Sequence, residues 1–394
     1  MTLEPTSARR RFKWTKRIGA VLTAAMLLMS AAAIEACASF GARAEGERME
    51  RIKRSPQWVE KTFTNPLKEE KIAFASNLWR WLRGVDHSKP ESPIDTAKPR
   101  HSELSKHPVS GLRLTWLGHS TFLVELDGVR ILIDPVWADR ASPFSYMGPK
   151  RFFAPPLALS SLPNIDAVVI SHDHYDHLDH QTIVTLKDKV PLFIMPLGVG
   201  AHFQSWGVAE EKIVELDWWQ SRQIKGVTLV ATPARHFSGR SLTDRNQTLW
   251  AGWAFQGPKH RIFYSGDTAM FPEFADIGKR LGPFDLTLME VGAYDAGWRD
   301  VHMGPEQAIQ AHTMVRGGIL LPAHWGTFDL ALHSWTEPVE RLLVAAEKAN
   351  VRLALPRPGQ SFELNDIPQQ KWWPEVPWKS AEEAPVISSG LPVL

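Results

Sequence analysis

One cysteine in 394 residues, Cys37, closes two lines of argument. It excludes an internal disulfide framework, and it removes thiolate from the ligands that a metal site in the body of the chain could use. Charge of either sign is not in excess: 45 Lys and Arg stand against 43 Asp and Glu, a formal net charge of +2. So balanced a chain gives no electrostatic reason to invoke a nucleic acid. No repeat recurs at a fixed short period. The share of hydrophobic residues, 44%, and of charged residues, 22%, is that of an ordinary globular protein. Setting the two ends aside leaves about 260 residues, within the range of one large domain.

What is present is a run of metal-binding side chains. The hexapeptide His172-Asp173-His174-Tyr175-Asp176-His177 has the spacing H-x-H-x-D-H. It comes directly after Ile165–Ile170, a short β-branched run behind Pro163-Asn164 that predicts a buried strand. The cluster therefore falls where a strand gives way to a loop, a usual place for functional groups to converge. Imidazole nitrogen with carboxylate oxygen suits zinc and its first-row neighbours. Residues i and i+2 of such a loop can project together, so His172 and His174 are expected to share one ion while Asp176 and His177 aim at a second. Later strand ends offer more ligands. Val227–Thr232 leads to His236, Arg261–Tyr264 opens into Ser265-Gly266-Asp267, and Gly318–Leu321 runs into Pro322-Ala323-His324.

In this order the ligands resemble those of the metallo-β-lactamase superfamily, and within it the phospholipases D that hydrolyse N-acyl-phosphatidylethanolamine. The finer likeness is carried by Thr115-Trp-Leu-Gly-His-Ser-Thr-Phe122, Gly148-Pro-Lys-Arg-Phe152, Glu215-Leu-Asp-Trp-Trp219, Ile277–Asp285, Gly292-Ala-Tyr294, Pro305-Glu306 and Ala323-His-Trp-Gly-Thr-Phe328. It covers roughly residues 110–365. The resemblance implies an α/β fold, the four-layer αβ/βα metallo-β-lactamase sandwich, here with an N-terminal extension. It implies two zinc ions per chain: His172, His174 and His236 on one, Asp176, His177 and His324 on the other, and Asp267 bridging them. It also implies that Tyr175 and His302 contact the substrate headgroup.

The chemistry expected of such a centre is hydrolysis of a phosphodiester by hydroxide shared between two ions, which lower the pKa of the parent water from about 15.7 towards roughly 7. Asp267 would hold the nucleophile, and His302 would protonate the leaving oxygen as a general acid. The implied products are phosphatidic acid and an N-acylethanolamine. A lactonase or phosphate-ester hydrolase of the same fold is the alternative, since fold does not decide reaction. A phospholipid or other small ester is the expected partner, at a membrane surface, and a homodimer is compatible with the chain. His119 and Asp134 are candidates to support ligands by hydrogen bonding.

The ends carry separate signals. Six basic residues, Arg9, Arg10, Arg11, Lys13, Lys16 and Arg17, precede an uncharged run over residues 18–34. That layout predicts an export signal or anchor in residues 1–44, and hence a catalytic domain in the cell envelope. Ala36-Cys37-Ala38 and Ala42-Arg43-Ala44 fit cleavage sites, whereas Ile34-Glu-Ala-Cys37 resembles a lipobox in which Glu35 is out of pattern. Cleaved export, lipidation at Cys37 and an uncleaved anchor all stay open. Residues 45–107 read as a helical extension and Pro-rich linker, 108–365 as the catalytic domain, and 366–394 as a Pro- and Trp-rich strap or tail. Of the 17 Trp, most are expected in the core, with Trp79 and Trp81 on an amphipathic stretch as candidates for lipid contact.

Overall fold

Residues 46–63, ahead of the first long strand, are packed onto the sheets and loops of the main fold. The computed structural model describes residues 17, 20–24, 26, 35–68 and 74–389. Helix α1 (Gly46–Lys53) has Glu47 in its first turn and Arg51 and Lys53 in its last, the order that suits the helix dipole. Its Ile52 is fully buried, and its Arg48 donates to Glu215, Gln204 and Glu210. A short hairpin, β1 (Trp58–Val59) with β2 (Thr62–Phe63), buries Phe63 and ties its N–H to the carbonyl of Asn246. Helix α2 (Phe74–Arg83) leaves Trp79 68% and Leu82 70% exposed, while Trp81 stacks on Trp298 and Arg80 pairs with Asp295. One helical turn, α3 (His101–Leu104), precedes the sheets.

The first sheet contains β3 (Leu112–Gly118), β4 (Thr121–Leu126), β5 (Val129–Ile133), β6 (Ala167–Val169), β7 (Phe193–Pro196) and β8 (Ile213–Leu216). The second contains β9 (Ser221–Ile224), β10 (Val227–Thr232), β11 (Gly252–Gln256), β12 (Arg261–Tyr264), β13 (Phe284–Glu290), β14 (Gly317–Ala323) and β15 (Arg352–Leu353). The chain then returns to the first sheet as β16 (Ser361–Glu363), giving the orders β16-β3-β4-β5-β6-β7-β8 and β15-β14-β13-β12-β11-β10-β9. Each sheet starts antiparallel and turns parallel, at β5–β6 in the first and β12–β13 in the second. The β4–β5 turn is Asp127-Gly128, with φ of +47° and +89°, the left-handed pair that a two-residue hairpin needs.

Every residue of β4 and β5 is buried, because both faces of this sheet are covered. Alternate side chains serve two cores. Phe122, Val124, Ile131, Ile133 and Val169 pack between the sheets with Leu229, Trp253, Phe255 and Leu286. Leu123, Leu132 and Val168 point outward, to α4 (His180–Leu186) and α5 (Gly200–Ser205) through Ile183, Leu186 and Phe203. The outer face of the second sheet is covered by α6 (Glu273–Leu281), α7 (Pro305–Met314) and α8 (Glu337–Ala349). This is the four-layer αβ/βα sandwich. Helix α8 ends at Asn350, whose φ of +53° is left-handed.

After β16 the chain runs without regular structure across α8. Trp373 is buried against Trp325 and donates Nε1 to Glu340, Lys371 pairs with Glu340, and Arg341 donates to the carbonyl of Ala384. Residues 366–389 are thus a strap rather than a loose tail. The strand expected over Ile165–Ile170 is shorter, Ala167–Val169. All of the basic block but Arg17, and most of the apolar run, lie outside the described residues. Among those described, no helix is long and apolar enough to cross a membrane.

Candidate metal centre

Ser171 and the hexapeptide leave β6 at the mouth of the sandwich. The turn closes with the N–H groups of His177 and Leu178 on the carbonyl of His174, and so swings the second half of the motif away from the first. Asp134, at the exit of the neighbouring β5, fixes this turn from beneath. Its carboxylate accepts the Ser171 N–H (2.7 Å) and hydroxyl (2.5 Å), His177 Nδ1–H (2.7 Å) and the Tyr264 hydroxyl (2.6 Å). His177 therefore presents Nε2 to the centre.

His236, Asp267 and His324 come from the exits of β10, β12 and β14 in the other sheet. They meet the motif in two groups, each with ligand atoms within 4.8 Å of one another: His172, His174, His236 and Asp267, then His119, Asp176, His177 and His324. Asp267 Oδ2 lies between them, at 2.9 Å from His324 Nε2, 3.1 Å from His177 Nε2, 3.7 Å from His172 Nε2 and 3.8 Å from His236 Nε2. Each group draws donors from both sheets. All seven residues that the sequence marked as ligands are brought together.

The donor set fits divalent cations. His174 Nδ1 faces His172 Nε2 at 2.9 Å and His236 Nε2 at 3.3 Å, so three ring nitrogens converge where at most one proton could be shared. His177 Nε2 and Asp267 Oδ1 are buried with no hydrogen-bond partner. Burial, then the neighbouring His177, holds the His172 pKa well below its ordinary value, and burial brings His236 to about 3. These rings are neutral, as ligands must be. Burial opposes ionisation of Asp267, but His177 and His324 outweigh it and hold the carboxyl well below the usual range. Asp176 is likewise held down by His177 against its burial.

The other marked residues lie close by. His302 pairs with Glu290 through Nδ1, which lies 4.0 Å from Asp267 Oδ2, and so keeps Nε2 for other work. Tyr175 is half-buried, with its hydroxyl on the carbonyl of Arg240 and the Arg240 guanidinium 4.1 Å over its ring, so only the ring remains for a substrate. Asp173, an intervening residue of the motif, accepts from Gly239 and Thr248 and faces His202, and it belongs to neither ion group. His119 does more than shape a turn: its Nε2 is 2.9 Å from Asp176 Oδ2. Glu290 is the residue that sequence reasoning missed. It ends β13, accepts from the N–H of Thr268, pairs with His302 Nδ1, and groups with Asp267, His302 and His324. Burial, then the charge of Asp267, pushes its pKa well up. The strand-exit rule that found Asp267 would have found it, had β13 been recognised.

Residues 129–325 match the family model described as the beta-lactamase superfamily domain. The chain belongs to that superfamily. An uncharacterised protein of Mycobacterium tuberculosis is 51% identical over 302 residues, 75% of this chain and 80% of that one. The N-acyl-phosphatidylethanolamine-hydrolyzing phospholipase D 1 of Caenorhabditis elegans is 40% identical over 280 residues, 66% of this chain and 78% of the worm protein. Among solved structures, the isothiocyanate hydrolase from Delia radicum gut bacteria superposes with a TM-score of 0.51 at 21% identity, over 64% of this chain and 98% of its own, a likeness of fold. This beta-lactamase-superfamily protein is therefore a metal-dependent hydrolase, close to the N-acyl-phosphatidylethanolamine-hydrolysing phospholipases D.

Proposed function

We propose that the chain is a dinuclear zinc phosphodiesterase of the phospholipase D type. It would cleave N-acyl-phosphatidylethanolamine or a related phospholipid to phosphatidic acid and an N-acylethanolamine. One observation carries the reading: two four-residue ligand groups meet at the single carboxylate of Asp267, in a chain 40% identical to a worm enzyme named for that reaction. Zinc, when bound, would supply water activated near neutral pH and would neutralise charge on the phosphoryl oxygens.

The chain's own residues have distinct tasks in this reading. His172, His174 and His236 would hold one ion and Asp176, His177 and His324 the other, with Asp267 shared between the two groups. Glu290 pairs with His302 Nδ1 and, carrying the proton its raised pKa favours, would pass it to Nδ1 as His302 Nε2–H protonates the departing alkoxide. Tyr175 flanks the centre with its ring. The exposed Trp79 and Leu82 of α2, beside Arg83, would meet the lipid surface, since indole rings favour the interface and Arg the phosphates. The basic, then apolar, N-terminus supports export to the cell envelope.

The test is turnover by metal-quantified protein on N-acyl phospholipids, plain phospholipids and lactones, beside Asp267→Asn. Phosphatidic acid released by the wild type alone is expected. Turnover of lactones without any phospholipid product would replace this reading with the lactonase one.

A further inference from the structure

We infer that Asn65, in the segment ahead of the fold, is a positioning residue for the metal position of His236, and that the N-terminal extension and the C-terminal strap together hold that half of the centre. The inference rests on the metal-centre reading above. Among the expected ligands that the second sheet supplies, His236 is set farthest from its strand, four residues past β10, against three for Asp267 after β12 and one for His324 after β14. Strand β10 ends at Thr232, and residues 233–239 have no regular structure. A ligand on such a loop needs support that no ladder gives it.

Asn65 gives that support to the main chain of His236 itself. Its Oδ1 accepts the His236 N–H at 3.1 Å, and its Nδ2 donates to the His236 carbonyl at 2.6 Å. A primary amide carries one donor and one acceptor side by side, the complement of a residue's own N–H and C=O. The preceding residue is anchored as firmly. The buried guanidinium of Arg235 donates to the carbonyls of Met270, Ser389 and Lys68 and to the Ser389 hydroxyl, and lies 3.1 Å from Asp300. Asp300 accepts in turn from the Ser389 N–H (2.8 Å) and hydroxyl (2.5 Å). The His236 ring donates Nδ1–H to the carbonyl of Val301, at 2.9 Å, in the same loop.

The imidazole is therefore held at its backbone by residue 65, at its neighbour by residues 68 and 389, and at its ring by a loop that residue 389 clamps. The second position has a different foundation: His177 rests on Asp134, Asp176 pairs with His119, and His324 comes directly after β14. Loosening Asn65 should thus weaken one position and spare the other. Groups that orient metal ligands typically change affinity by roughly 10–100-fold when removed.

The experiment uses the full chain, loaded with Zn2+ and dialysed against graded nitrilotriacetate, with bound metal counted per chain. Asn65→Ala is expected to lose one ion at a chelator concentration roughly 10–100-fold below that of wild type, and to keep the other as wild type does. A general loss of stability would release both ions together, which overturns the inference; so does wild-type retention of both. Ser389→Ala reads the same support from the other end and serves if Asn65→Ala does not fold, with selective loss of one ion again expected. A wild-type chain that never holds two ions would instead defeat the metal-centre reading, a separate outcome of the same assay.

Discussion

The carboxylate of Asp134 illustrates how much of this centre depends on residues that would touch no metal. It accepts from four groups, one of them His177 Nδ1–H, and so determines which nitrogen that ring turns inward. Asp134→Asn puts a competing N–H into this arrangement; affinity at the Asp176–His177–His324 position is expected to fall roughly 10–100-fold, read by competitive metal titration. His302→Gln should act oppositely. It leaves two ions bound but lowers kcat by about 10²–10⁴, the usual contribution of a positioned acid or base. Residues of this kind differ in how far the sequence announces them. The hexapeptide is conspicuous because histidine is scarce and the spacing tight. Glu290 is one carboxylate among 43 acidic residues, and only burial beside His302 sets it apart.

At the scale of elements, legibility depends on composition. Strands β4, β5 and β10 are β-branched and leucine-rich, and their patterns read correctly as strands. Strand β9, Ser-Arg-Gln-Ile, lies at a sheet edge with its polar side chains in solvent and shows no apolar signal. Helices α4 and α5, of 7 and 6 residues, are too short for a 3.6-residue period to emerge. Strand β13 is not recognised from its sequence, which is why its terminal Glu290 is missed.

Where α7 packs on β13, burial lowers the pKa of His312 to about 4, and its Nδ1 pairs with the Thr287 hydroxyl at 2.7 Å. An unfolded histidine titrates near 6.5, so between these values the unfolded chain binds the extra proton. The stability from the neutral ring is therefore present above about pH 6.5 and is lost as pH falls towards about 4. From pH 7 to 5, wild type should lose roughly 2 kcal/mol more than His312→Gln in denaturant titrations. Equal losses would show that His312 is not the group responsible.

The whole molecule adds features that no single motif contains. The extension, the sandwich and the strap interlock, with Arg48 on Glu215, Arg235 on Lys68 and Ser389, and Trp373 on Trp325. Sequence composition separates these segments because proline and polar residues mark their borders; their mutual packing depends on contacts across more than 150 positions. Helix α2 faces outward with Trp79 and Leu82. Each such side chain, fully transferred from water, contributes about 1.5–3 kcal/mol. Trp79→Ser with Leu82→Ser should weaken binding to phospholipid vesicles at least about tenfold. Hydrolysis of a short-chain soluble substrate should be unaffected, and an equal loss on both substrates would remove α2 from the membrane-facing role.

Each ligand group takes its members from both sheets, which meet in the chain only through the short turn at Asp217–Gln220 and the late return to β16. Cations seated there would rivet one half of the polypeptide to the other. Ion scarcity would then be felt first as a loosened midline, where proteases gain access, so that the lifetime of this hydrolase would rise and fall with the supply of its own ion.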